Sequence, residues 1–226
     1  MRNLFATGLV AVAIAVGGAG TAQALEISST ASGWVNSNGV SNGAAFGNNT
    51  FTGNEFGARF NSWAAFDVPV GAFGDLELIL TPAFFGASIG DEIGIYDVST
   101  DYSAFEAGAS GIAGYLDLGN GSSYGSFFAL DTSTLTIALG GSALANFNSS
   151  AGGKFILGFT NLTKNATPSL PGQDDGVYTN PNGDLKLRFA EATSAVPEPG
   201  AWAMLIVGFG AIGSTIRLRR RTMVTA

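Results

Sequence analysis

The chain has no histidine and no cysteine, so any chemistry it performs must run on carboxylates, amides, hydroxyls and aromatic rings. Imidazole bases, thiol nucleophiles, disulfides and the usual zinc, copper and iron ligands are excluded together. A glycosidase could still work with two carboxyl groups held about 5 to 9.5 Å apart in a groove. The acids available for such a pair are Glu55, Asp67, Glu77, Asp91, Glu92, Asp97, Asp101, Glu106 and Asp117. Spacing alone pairs none of them, and acids that border strands commonly cap turns or face water. Calcium is a second chemistry, because loop acids and carbonyls supply hard oxygen ligands. Asp91-Glu92 and Asp174-Asp175 are the candidate ligand pairs, without the spacing of an EF-hand. Sugar binding is a third, since it needs an exposed ring beside groups that bond to hydroxyls. Trp34, set among Ser, Gly and Asn, is the candidate platform. Trp63 lies in an apolar run and reads as core, and Tyr102, Tyr115, Tyr124 and Tyr178 are further rings available for stacking.

The elements that must position these groups are strands. Leu76, Leu78 and Leu80 recur with period two, as do Leu135, Ile137 and Leu139, and Leu185, Leu187 and Phe189; that spacing puts every second side chain on one face of a sheet. Phe155, Leu157 and Phe159 form a further set, in which Ile156 marks a strand buried on both faces. Other strands are expected near Ile27 and Trp34, and over 59–68, 92–98, 112–116 and 124–130. Turns at Asn38-Gly39, Asn42-Gly43, Asn120-Gly121 and Asn182-Gly183 separate them. This pattern predicts an all-β fold, an antiparallel β-sandwich or jelly roll over residues 25–190. The one expected helix is 142–148, with Ser142 as its N-cap.

Charge narrows the partners. Of 17 acids and 10 bases, 16 acids and 5 bases lie between Leu25 and Val196, a difference of 11 negative charges. A field of that sign repels phosphate backbones, which excludes nucleic acid.

The two ends carry signals of their own. Arg2, the apolar stretch from Leu4 to Val16 and the small residues of Ala22-Gln23-Ala24 read as a secretory signal peptide over 1–24, cut after Ala24. The Sec translocon is its implied partner. At the other end, a short stalk over 191–196 leads to Val196-Pro197-Glu198-Pro199. An apolar run from Ala201 to Ile216 follows, and then Arg217-Leu218-Arg219-Arg220-Arg221. The basic cluster stays on the cytoplasmic side, so what precedes the run lies outside. As a helix the run spans ~24 Å against a hydrocarbon core of about 30 Å, a short transmembrane helix suited to a transient anchor in the inner membrane. Within it, Gly208-Phe209-Gly210-Ala211-Ile212-Gly213 matches the G-x-G-x-x-G pattern, but no βαβ unit can follow so close to the last residue given.

Pro197-Glu198-Pro199-Gly200-Ala201-Trp202-Ala203, followed by the apolar run and the arginines, resembles the PEP-CTERM sorting signal in its PEPxxWA form, over 197–221. The resemblance implies recognition by an exosortase, a membrane cysteine peptidase that processes the tail in bacteria that make exopolysaccharide. Pro197, Glu198, Pro199, Trp202 and Ala203 are then residues read by that peptidase, not catalytic residues of this chain. The middle has a resemblance as well, carried by Trp63-Ala64-Ala65-Phe66-Asp67, Asp75-Leu76-Glu77-Leu78, Ile95-Tyr96-Asp97-Val98 and the stretch from Asp117 to Ser126. It looks like an ectodomain recurrent in PEP-CTERM proteins, itself similar to jelly-roll modules of carbohydrate-binding type.

The expectation is a non-enzymatic protein of the cell surface or extracellular matrix. It is exported, held for a time in the inner membrane, and associated with exopolysaccharide or biofilm. A glycan-binding jelly-roll module and a carbohydrate-active hydrolase are the alternatives. No cofactor is expected, calcium apart.

Overall fold

In the computed structural model, described over residues 24–44, 49–86, 88–165, 174–179, 185–191, 204–210 and 212–213, the described residues up to Glu191 run through twelve strands and four short helices. In chain order these are β1 (Ala24–Ser28), β2 (Ala31–Asn36), β3 (Thr50–Glu55), β4 (Ala58–Asp67), β5 (Phe73–Leu80), β6 (Ala83–Phe85) and β7 (Asp91–Asp97). Helices α1 (Tyr102–Glu106) and α2 (Gly111–Asn120) come next, then β8 (Ser123–Ala129), β9 (Leu135–Ala138), α3 (Ala143–Ser149), β10 (Lys154–Asn161), α4 (Leu162–Asn165), β11 (Asp175–Thr179) and β12 (Leu185–Glu191). The strands form two antiparallel sheets, one in the order β1-β12-β5-β9 and a larger one in the order β6-β11-β3-β4-β10-β7-β8, with β2 also paired to β4.

Period-two patterning explains the smaller sheet. Its register aligns Ile27 with Leu187, Leu187 with Leu78, and Leu78 with Ile137, a continuous apolar row that packs into the main core. One position along, Glu26, Arg188 and Glu77 are aligned, and the guanidinium reaches both carboxylates, at 2.8 and 3.5 Å. Apolar side chains thus face the second sheet while a charged ladder faces water, the division expected of an antiparallel sheet with one wet face.

The larger sheet is covered on both sides at its centre. Along β4, Ala64 and Phe66 join the core between the sheets, whereas the intervening Trp63 and Ala65 join a second cluster with Phe105 of α1 and Leu118 of α2. Trp63 is fully buried, its ring 5.4 Å from that of Phe105. In β10 the residues Phe155, Leu157 and Phe159 face the main core and Ile156 packs against the helix side, so that strand is buried on both faces as its composition requires. Each such side chain contributes about 1.5–3 kcal/mol relative to exposure.

The sandwich expected from the sequence is present, with corrections; helices α1 and α4 and the short strand β6 were not expected. Residues 112–116 form no strand; they lie inside helix α2. Gly114 and Leu118, four apart, are the buried positions of α2, and Ile112 and Leu116 are 55% and 52% exposed. The apolar residues that suggested a strand are therefore mostly on the exposed side of a helix that seats on Gly114 and Leu118. Strands β3 and β11 were also unforeseen, because Thr, Asn and Gly dilute their apolar residues. Helix α3 falls where expected, although Ser142 at its N-cap makes no side-chain capping bond.

Residues 204–210 and 212–213 of the apolar tail are helical. Among the described residues no helix is long and apolar enough to cross a membrane. The sorting residues Pro197, Glu198, Pro199, Trp202 and Ala203, the arginines 217, 219, 220 and 221, and Ala22 of the signal lie outside the described residues.

Candidate functional site

Most of the acids that could have formed a catalytic pair are engaged in holding the fold. Asp67 pairs with the Lys154 ammonium at 2.7 Å, and Glu77 belongs to the Arg188 ladder. Glu92 accepts a hydrogen bond from the Ser126 hydroxyl, and Glu106 accepts one from Tyr102. Asp117 accepts bonds from the backbone N–H groups of Ser99 and Thr100 and from the Ser99 hydroxyl. Burial alone would raise its carboxyl, but these bonds outweigh burial and hold it below the ordinary carboxylate value.

Asp97 and Asp101 line one polar cleft of about 410 Å³ with Lys154 and Asn146. The Asp97 carboxylate accepts from the Tyr124 hydroxyl at 2.6 Å and from the Asn146 amide at 3.1 Å. Burial first, and then this bond to Asp97, push the Tyr124 hydroxyl above its usual range. The triad ties β7, β8 and α3 together.

The two expected calcium pairs separate, and the structure combines their members differently. Successive residues of a strand point to opposite faces, so Asp91 is buried while Glu92 is half-exposed. Asp91 and Asp175 instead converge on one ammonium group, Lys164 Nζ lying 2.9 Å from Asp175 and 3.8 Å from Asp91. Asn161 donates to the other Asp91 oxygen at 2.8 Å. Burial raises the Asp91 carboxyl above its ordinary value despite this company, and the bond to Asp175 raises the Lys164 ammonium. Among the described residues no group of three acids could hold a metal ion. Asp174 lies apart, accepting from the Phe56 backbone N–H at 2.9 Å.

Trp34 falls in an aromatic cluster that β2, β3, β4 and β11 build together. Register places Tyr178 of β11 opposite Phe51 of β3. The Phe51 ring meets Phe60 edge-on at 5.2 Å, and Phe60 meets Trp34 edge-on at 5.0 Å. Phe51 and Phe60 are buried, and Trp34 and Tyr178 remain half-exposed beside them. An open cleft of about 250 Å³ is lined by Trp34, Asn49, Phe51, Glu55 and Tyr178. Its polar rim is one amide and one carboxylate. Asn42 fixes this rim from behind, donating to the Asn49 side chain at 3.1 Å while its own oxygen accepts from the Trp34 backbone N–H at 2.8 Å. Glu55 has no ion-pair partner among the described residues. Burial and the negative charge of Asp174 both push its carboxyl upward.

Of this cleft, sequence reasoning identified Trp34 as a platform, Tyr178 as an available ring and Glu55 as a candidate acid. It missed Asn49 and Phe51. Their role depends on the pairing of β3 with β11, more than a hundred residues away in the chain, and no local pattern carries that information.

Residues 195–221 match the family model described as the PEP-CTERM protein-sorting motif. No curated protein matches the chain. The motif marks an exosortase-targeted protein that is exported and transits the membrane, and its β-rich ectodomain is the folded part that this route delivers.

Proposed function

We propose that this chain is a non-enzymatic surface or extracellular-matrix protein. Its signal peptide is removed after Ala24, its tail is processed by exosortase near Pro197, and the ectodomain associates with exopolysaccharide. The observation that carries this reading is the sorting motif at 195–221; the structural engagement of Asp67, Glu77, Glu92, Glu106 and Asp117 supports the non-enzymatic part.

The intact mass of the protein recovered from its native cells, with and without the resident exosortase, tests it. A product beginning at Leu25 and ending near Pro197 only when the enzyme is present is the expected result. A chain that retains Arg221 in both strains overturns it.

A second reading, a glycan-binding module, is favoured by the cleft around Trp34 and Tyr178. Half-exposed rings beside an amide and a carboxylate suit the two faces of a sugar, apolar C–H groups on one and hydroxyls around the edge.

A further inference from the structure

The aromatic cleft differs from an ordinary sugar platform in its charge. Glu55 lines it without a counter-ion among the described residues, and Asp174 stands close enough to raise the Glu55 carboxyl. Asp174 is itself fixed by its bond to the backbone of Phe56, the residue after Glu55. Two negative groups thus meet at the tip of the β3–β4 hairpin, next to half-exposed rings, in a domain with 11 more acids than bases between Leu25 and Val196. A polyanionic uronic-acid chain would be repelled there, and a neutral sugar would leave the carboxylate uncompensated. A protonated amine on the sugar ring would satisfy it, and would gain attraction from the faces of Trp34 and Tyr178 as well.

We propose that the cleft lined by Trp34, Asn49, Phe51, Glu55 and Tyr178 binds glycans through a sugar ring carrying a free amino group, the ring stacked on Trp34 or Tyr178 and the ammonium held by Glu55. This rests on the glycan-binding reading above and narrows it to one ligand class. Phe56 adopts φ +50° with 86% of its surface exposed, a left-handed conformation that is costly for a bulky residue and is kept where the surroundings impose it. Here the tight β3–β4 hairpin imposes it, since Phe56 and Gly57 (φ +75°) are its two central residues between the paired Glu55 and Ala58, and the bond from the Phe56 N–H brings Asp174 to the same tip.

Calorimetric titration of the full chain in mild detergent provides the test, with three probes of equal length: a glucosamine oligomer, its fully N-acetylated counterpart and an oligogalacturonate. Saturable binding of the glucosamine oligomer, at least tenfold tighter than the other two, is expected. Glu55→Gln and Trp34→Ala should each weaken it at least tenfold, while Asp75→Asn, at an exposed acid elsewhere, leaves it unchanged. Equal loss in Glu55→Gln and Asp75→Asn would reveal simple polyelectrolyte attraction and overturn the proposal. Equal binding of the acetylated oligomer overturns the amine assignment but leaves the glycan reading standing. Absence of saturable binding to all three probes, with the far-ultraviolet dichroism of a folded chain, overturns both.

Discussion

Lys164 holds apart two carboxylates that would otherwise face each other inside the fold. Asp91 and Asp175 are 5% and 9% exposed at their side chains, and removing the one cation between buried acids costs more than the pair itself contributes. Lys164→Met is expected to destabilise the chain by about 3 kcal/mol, read as a lower urea midpoint with an unchanged slope. Millimolar calcium should recover part of that loss in the variant and change the parent little, because the ammonium already occupies the place a cation would take. Asp117 tests the opposite sign. Its folded-state carboxyl is held below its ordinary value, so its contribution is fully present above the unfolded-state value and is lost as pH falls through the folded one. Asp117→Asn should cost about 1 kcal/mol at neutral pH, the low end for charge-assisted bonds because the carboxylate is partly in water. The variant should also lose less stability on acidification below pH 4, which thermal melts across the acid range would show.

At the scale of elements, the seating of α2 on the larger sheet leaves no room for an added side chain. A Cβ added at Gly158 of β10 would lie 2.7 Å from the Leu118 carbonyl oxygen and 2.9 Å from its Cα, backbone atoms that cannot turn aside. Gly158→Ala should lift α2 from the strand and destabilise the fold by about 1–3 kcal/mol, visible as faster amide exchange within 111–120. This contact also shows what local sequence could and could not convey. The strands β5, β9 and β12 were legible because each carries period-two apolar residues facing the main core, and β10 because Phe155, Leu157 and Phe159 do the same although Ile156 packs on its other face. Helix α2 was not, since its buried side rests on Gly114, Gly158 and Leu118, two of which contribute no apolar side chain to be counted. The rings of the aromatic cleft were individually visible, but their meeting depends on β11 returning beside β3.

For the whole molecule, the sandwich class and the sorting tail followed from patterns within short windows, periodicity in one case and a contiguous motif in the other. The third layer, α1 and α2 over Trp63 and Ala65, did not, because it arises from the long strand β4 being apolar on both faces. The charge distribution was legible at once, and it bears directly on the amine-binding proposal. A domain with this excess of acids concentrates cationic ligands around it.

Leu25, the first residue after the expected signal cleavage, is the register partner of Phe189 near the end of β12. Both ends of the ectodomain therefore leave from one corner of the smaller sheet, and β12 sits inside that sheet, bonded to β1 on one side and β5 on the other. A pull on the tail runs along β12 and loads both ladders in shear, so their bonds must fail together instead of peeling in turn. Tethered by its C-terminus to a membrane or a matrix, this domain would bear drag across its strongest direction.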